Sequence, residues 1–120
     1  MEYKFEDFLV RLNNVKKEKN LRIDDITRDS NIPRGTLIKI LSGATNDPKI
    51  STVAALAEAI GVSLDYLIYG KIKEPITVEE EAMIYKYRQM EIEDKEELDA
   101  IIDMKYGRIA KKETETEDLA

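Results

Sequence analysis

Few residues of this sequence have side chains that could carry out catalysis or bind a metal. It contains no cysteine and no histidine, which excludes disulfides and thiolate sites and removes the commonest metal ligand and general base. The best acidic pair, Asp24 and Asp25, is adjacent in a segment that predicts a helix, and adjacent residues on a helix do not face each other. There is no glycine-rich phosphate loop either. We therefore expect no enzyme, no metal site and no cofactor.

The charged side chains are the remaining candidates, and they are unevenly distributed. The net charge is −6, which by itself argues against a nucleic-acid partner. Residues 1–70 nevertheless carry ten basic and ten acidic groups, whereas residues 71–120 carry nine basic and fifteen acidic groups. The excess acidity thus lies in the second part of the chain. A local basic face in the first part remains compatible with binding to phosphates.

Two short helices around a tight turn are predicted between Leu21 and Gly43. The apolar residues fall at helical spacings on both sides of an interruption at residues 30–33, which a single helix would not carry. Asn31 tolerates a left-handed conformation and can stop the first helix, while Pro33 suits the first turn of the second. This arrangement is typical of a helix-turn-helix, whose second helix enters the major groove of DNA. On this stretch alone, an ordinary helical hairpin is the alternative.

Apolar stripes predict three further helices, and with them a compact bundle of five. Asp47 and Pro48 resemble an N-cap and a first-turn proline for the fourth helix, which Gly61 ends. Ser63 then caps a short fifth helix, which Gly70 ends. The stripes would supply the core: Phe5, Phe8, Leu9, Leu12 and Val15 from a helix at about residues 2–19, Leu21, Ile26, Ile32, Leu37, Ile40 and Leu41 from the helix pair, and Ile50, Val53, Leu56, Ala57 and Ile60 from the fourth helix.

The run from Phe5 to Gly70 resembles the Cro/repressor-type, or XRE, family of helix-turn-helix domains, which are lambda-repressor-like and common in phage and bacterial regulators. Three segments carry the resemblance: KKEKNLRIDDI, the helix IPRGTLIKILSG with a proline-containing loop after it, and AALAEAIGVSLDYLIYG. The resemblance implies an all-α fold, with a five-helix DNA-binding domain at residues 1–70. It also implies double-stranded DNA as the partner, bound through the helix at about residues 33–41.

The family's base-reading positions fall on one side of this helix, which we call the reading face: Arg34, Gly35, Ile38 and Lys39. Its contacts to the DNA backbone would fall on Arg22, Ile23, Thr36, Ser42, Thr45 and Asn46. Ile23 stands where many members have Gln or Ser, Gly35 has no side chain, and Ile38 offers only an apolar contact. Direct readout would therefore depend chiefly on Arg34 and Lys39, which can donate to N7 and O6 of guanine.

The second part of the sequence predicts a charged linker at residues 71–76, a two-helix hairpin at residues 77–110 and a disordered polar tail at residues 111–120. Thr77 and Glu80 fit a capping box at the start of the hairpin. We interpret the glutamates of the hairpin as solvated faces, with mimicry of DNA charge as the alternative.

The predicted hairpin has apolar residues on more than one side, which two helices cannot bury against each other. We expect dimerisation through six of them: Met83, Tyr87, Leu98, Ile101, Ile102 and Ile109. The alternative is docking on the first domain of the same chain. A dimer would also place two reading helices on two half-sites about one helical turn apart.

The leading hypothesis is a dimeric, sequence-specific DNA-binding transcriptional regulator, acting as a repressor on a palindromic operator. The alternative is an antitoxin or an interaction module whose C-terminal helices bind a toxin or another protein regulator. Self-cleaving repressors of this type carry a Ser/Lys peptidase domain, and the fifty residues after Gly70 are too few for one. With no apolar run of about 18 residues and no leader, we expect a cytoplasmic protein without a membrane partner.

Overall fold

A computed structural model describes the backbone of residues 2–119 and the side chains of residues 2–114. This part of the chain contains seven α-helices and no strand: α1 Phe5–Glu18, α2 Ile23–Ser30, α3 Arg34–Leu41, α4 Ile50–Ile60, α5 Leu64–Tyr69, α6 Val78–Gln89 and α7 Ile92–Leu119. The predicted all-α fold class is therefore confirmed. The chain divides into two compact units, which we call unit 1 (residues 1–76) and unit 2 (residues 77–120).

Unit 1 is built around one apolar core. Helix α1 packs on α3 and α5, and α2 packs on α3 and α4. The buried side chains come from all five helices and two of the turns between them: Phe8, Leu12, Val15, Ile26, Ile32, Leu37, Ile40, Val53, Leu56, Ala57, Ile60, Val62 and Leu67. The predicted apolar stripes thus meet in this core, and α3 lies against it along one side.

Local signals end the helices of unit 1 largely where the sequence predicts. Asn31, Gly61 and Gly70 have φ values of 60°, 74° and 73°, the left-handed conformation that stops a helix. Ser63 caps α5, because its Oγ accepts a hydrogen bond from the backbone N–H of Tyr66 at 2.9 Å.

Two basic side chains, one on α1 and one directly after it, satisfy carbonyls at the ends of other helices. Arg11 donates to the carbonyls of Leu67 at 3.0 Å and Ile68 at 2.8 Å. Lys19 donates to the carbonyl of Ile60 at 2.7 Å. Cations at helix C-termini also complement the helix dipole, so both side chains stabilise the bundle from within.

The predicted start of α4 is wrong. The helix begins at Ile50 with Lys49 at the N-cap position in an extended conformation, with a ψ of 145°. No side chain caps it, because the lysine ammonium has no acceptor to offer the first N–H groups. Ile50 is also not a core residue: it is 79% exposed, since the first residue of α4 lies at the edge of unit 1. It lines an open groove together with Tyr3, Leu64 and Tyr69.

The segment at residues 71–76 folds onto unit 1. The backbone N–H of Ser63 donates to the carbonyl of Lys73 at 2.9 Å. The Lys73 ammonium lies 2.5 Å from a carboxylate oxygen of Glu18, and this hydrogen bond raises the pKa of Lys73 above its ordinary value. The boundary between the units consequently falls after Ile76.

Unit 2 consists of α6 and α7 joined at Met90 and Glu91. The predicted capping box is present: the N–H of Glu80 donates to Thr77 Oγ1 at 3.1 Å, and the N–H of Thr77 donates to Glu80 Oε1 at 2.9 Å. No side chain is buried among the residues of unit 2 that the structure describes to residue 114.

The two helices of unit 2 meet near their turn. The hydroxyl of Tyr87 on α6 lies 3.1 Å from both carboxylate oxygens of Asp99 on α7. Helix α7 then continues to Leu119, beyond residue 110, where the sequence predicts a disordered tail to begin. The added residues to 119 include Lys, Glu and Leu and neither proline nor glycine, so no strong helix breaker stands among them.

Candidate DNA-binding surface

The turn between α2 and α3 is fixed by side-chain and backbone hydrogen bonds. Asn31 adopts the left-handed conformation, and its N–H donates to the carbonyl of Thr27 at 2.9 Å. The hydroxyl of Ser30 donates to the carbonyl of Ile26 at 2.6 Å and accepts from the N–H of Ile32 at 3.1 Å. Ile32 is only 5% exposed, so an apolar anchor also holds the turn on the core.

Helix α3 has one side in the core and one side in solvent. Leu37 and Ile40 are buried, which fixes the rotation of the helix about its axis. The opposite side is exposed and includes the whole reading face together with Thr36. Pro33 is the N-cap and Arg34 the first helical residue, so the helix begins one position later than predicted.

The two cations of the reading face have different surroundings. The Nη1 of Arg34 donates to Oδ1 of Asp24, in the first turn of α2. The ammonium of Lys39 has no ion-pair or hydrogen-bond partner among the residues that the structure describes. Between them, Ile38 is 42% exposed. The exposed side of α3 therefore offers one held cation, one unpaired cation and a small apolar surface.

The residues predicted to contact the DNA backbone at α2 differ in their accessibility. The side chain of Arg22 is 86% exposed, and its backbone N–H donates to Oδ2 of Asp25 at 2.9 Å, which completes half of a capping box. Ile23 packs against the core. Its backbone N–H, at the free positive end of α2, is thus its only group that could meet a phosphate.

The loop after α3 folds back on the end of that helix. The N–H of Thr45 donates to the carbonyl of Lys39 at 3.0 Å. The hydroxyl of Ser42 donates to the same carbonyl at 3.2 Å and accepts from the N–H of Ala44 at 3.4 Å. A hydroxyl has one proton, so Ser42 would have to release this bond to donate to a phosphate. Asn46 is exposed in the same loop.

One residue of this surface is missing from the sequence-based prediction: Asp24. In the sequence it has the ordinary place of an acid in the first turn of a helix. Its pairing with Arg34 spans ten positions across the turn, and no periodic pattern indicates it. Only a helix-turn-helix geometry that brings the two first turns together could have pointed to the pair.

The six residues predicted for dimerisation lie on α6 and α7. Met83, Ile101, Ile102 and Ile109 are exposed, whereas Tyr87 and Leu98 are half-buried. Burial raises the pKa of the Tyr87 hydroxyl, and its hydrogen bond with Asp99 adds to the effect. Unit 2 thus presents apolar side chains to solvent on both helices.

Among the helices that the structure describes, none combines the length and apolar character that a membrane span requires. The comparison with curated proteins finds no match. A crystal structure of a transcriptional regulator from Listeria innocua is similar to this chain, with 22% sequence identity and a TM-score of 0.48. The similarity covers 87% of this chain and 94% of that one.

A family model described as a helix-turn-helix domain matches residues 10–72. The matched residues contain α2, the turn and α3, together with the core side chains that hold them. They make up more than half of the sequence. The chain therefore belongs to the helix-turn-helix domain family.

Proposed function

We propose that this protein is a sequence-specific regulator of transcription that binds double-stranded DNA as a dimer and represses from a palindromic operator. The observation that supports it is α3, whose inner side is fixed in the core by Leu37 and Ile40 while Arg34 and Lys39 project into solvent. The finer assignment to the Cro/repressor-type, or XRE, family belongs to the same proposal. That family assignment depends on the sequence of α3 and on the sequence of the segment from α4 to α5.

In this proposal α3 enters the major groove and Arg34 and Lys39 read bases. A guanidinium fork matches N7 and O6 of guanine, and an ammonium can reach the same edge, with discrimination of about 1–3 kcal/mol for a good two-donor contact. Ile38 adds an apolar contact that suits a thymine methyl. Gly35 contributes no side chain and leaves space for the backbone of α3 to approach the groove closely.

Contacts to phosphates would position α3 without reading sequence. Arg22 and the free N–H groups at the start of α2 are suited to this role on one side of α3, because positive helix ends attract anions. Thr36, Thr45 and Asn46 are suited to it on the other side. Ser42 joins them only if it gives up its bond to the carbonyl of Lys39.

Dimerisation follows from the small number of base contacts. Two cations are too few to specify one long site, whereas two copies on adjacent half-sites double the contacts and add the half-site spacing as a requirement. The exposed apolar residues of α6 and α7 support an interface in unit 2. Repression is favoured over activation because occupancy of a promoter is sufficient for it.

The test is selection of bound sequences from a random pool of double-stranded DNA by the full chain. We expect an inverted repeat whose half-sites lie about one helical turn apart, bound less tightly as salt rises because phosphate contacts release counterions. A pool that remains unenriched would contradict sequence-specific binding. An enriched site without symmetry would contradict binding as a dimer.

Variants of the reading face then test its register. Arg34→Ala and Lys39→Ala should each reduce affinity for the selected site by about tenfold and relax base preference at one position of each half-site. Arg28→Ala is the matched control, because Arg28 is an exposed arginine of α2 already bonded to Asp29 at 3.1 Å. If both α3 variants keep the full base preference, another surface reads the DNA.

The alternative function is binding of a different protein through α6 and α7, as in an antitoxin or an adaptor. The same exposed apolar residues of unit 2 favour it, since they suit a foreign helix as well as a second copy. Mass measurement of the purified full chain, alone and after co-expression with its neighbouring genes, separates the two functions. A homodimer supports the regulator, and a stoichiometric second protein on unit 2 supports the alternative.

A further inference from the structure

The first turns of α2 and α3 meet at an ion pair. Asp24 is the second residue of α2 and Arg34 is the first residue of α3, and Oδ1 of Asp24 accepts a hydrogen bond from Nη1 of Arg34. Both side chains are largely exposed, at 84% and 58%. The pair therefore lies on the solvent side of the helix-turn-helix, at the end of α3 that carries the main candidate for base reading.

This geometry leaves part of the arginine available. A guanidinium has five N–H donors in a rigid planar fork, and the bond to Asp24 engages only Nη1. Nε and Nη2 have no partner among the residues that the structure describes. Together they form an edge with two parallel donors, which is the arrangement that grips N7 and O6 of guanine.

Asp24 complements the dipole of α2, but any acid in this first turn would do so. Its neighbour Asp25 already caps α2 by accepting the N–H of Arg22, and an exposed ion pair contributes little to folding stability. A carboxylate on a surface that approaches DNA also repels phosphates, so it lowers affinity for DNA of any sequence. What Asp24 does supply is a bond that holds the long Arg34 side chain in one direction. An arginine that is already held loses less rotamer entropy when it binds a base.

We propose that Asp24 is a positioning residue for base recognition: its carboxylate holds the Arg34 guanidinium so that the free edge meets one guanine, and it weakens the attraction of Arg34 for phosphates of any sequence. The proposal rests on the proposed function. It makes discrimination, the ratio of affinities for the correct and the wrong base, depend on an acid that itself touches no base.

The experiment measures the binding of full-length variants to the selected site, to the same site with the Arg34-read base changed, and to unrelated duplex DNA. Asp24→Asn should bind unrelated DNA more tightly and lose about threefold in discrimination at that base, a part of the roughly tenfold that loss of the whole contact would remove. Asp24→Glu, which can still reach Arg34, should restore most of the discrimination. In an Arg34→Ala background, Asp24→Asn should leave discrimination unchanged.

Asp29→Asn is the matched control. It makes the same charge change on the same helix, at an exposed acid bonded to Arg28 rather than to Arg34. It should tighten binding to unrelated DNA while leaving the base preference intact. The proposal is overturned if Asp24→Asn preserves discrimination, or if Asp29→Asn lowers discrimination by the same factor as Asp24→Asn. In either case Asp24 acts only as a surface charge.

The two proposals fail in different ways. A wild-type chain that enriches no sequence from the random pool overturns the proposed function and, with it, the role of Asp24. A wild-type chain that selects a site, and whose Asp24→Asn variant selects the same site with the same preference, overturns only the role of Asp24.

Discussion

The two units of this protein contain similar kinds of apolar side chains but place them in opposite environments. Unit 1 buries thirteen of them in one core, whereas unit 2 buries none among its residues that are described to residue 114. The helices of unit 1 are short, six to fourteen residues, and are marginal in isolation. They are therefore held by tertiary packing, while those of unit 2 depend on local interactions such as the cap of α6.

In the proposed function this difference separates two roles, DNA binding by unit 1 and assembly by unit 2. A fixed reading surface requires a rigid support, which the core of unit 1 supplies. Exposed apolar residues such as Met83, Ile102 and Met104 instead mark a surface suited to association. Stability and assembly should thus respond to separate substitutions.

The largest expected effect is on assembly. A chain truncated after Ile76 should sediment as a monomer and keep a cooperative thermal transition, because its core is complete, whereas the full chain should sediment as a dimer. Ile102→Glu in the full chain should also give the monomer, since it places charge in the apolar surface. A truncated chain that still dimerises would move the interface into unit 1, where a groove beside Tyr3 and Ile50 offers an open apolar surface.

A smaller effect separates the units by stability. Leu37→Ala should lower the free energy of unfolding of unit 1 by about 2–5 kcal/mol, because Leu37 is fully buried and its truncation leaves a cavity. Ile101→Ala, at a residue 42% exposed, should change it by less than about 0.5 kcal/mol. Urea denaturation followed by circular dichroism measures both, and equal losses would contradict the separation.

The smallest effect concerns the cap of α6. Hydrogen bonds with the Thr77 backbone and side chain lower the pKa of Glu80, so the cap contributes stability at neutral pH and loses it as pH falls through the lowered folded-state pKa. The amide chemical shift of Thr77 should titrate in this acidic range. Glu80→Gln keeps an acceptor without a titrating group and should abolish the titration, whereas Glu79→Gln, one position earlier, should leave it intact.

Much of the fold could be predicted because its signals are local. A 3.6-residue periodicity predicts Leu12, Leu37 and Leu56 as core residues, and all three are buried. Asn31 and Gly61, which tolerate a left-handed conformation, predict the ends of α2 and α4. Each of these depends on a residue's own conformation or on neighbours one turn away. The same locality explains why the capping box at Thr77 was predictable in a unit that lacks a core.

The errors and omissions involve contacts between distant residues. Ile50 continues an apolar stripe, yet the edge of unit 1 leaves it exposed. The bond between Asp24 and Arg34 requires knowledge of how two helix ends meet. The exposed face of α3 was thus predictable, and the engagement of its polar groups was not.

The bonds from Arg11 and Lys19 to the ends of α5 and α4 connect residues 56 and 41 positions apart. During synthesis, α3 leaves the ribosome before either acceptor helix has emerged. A nascent chain that ends at Leu41 lacks Val53, Leu56 and Leu67 of the core as well as the acceptors for both cations. Unit 1 therefore reaches its native packing only after Leu67 has emerged, so α3 has no complete support until the whole unit has been made.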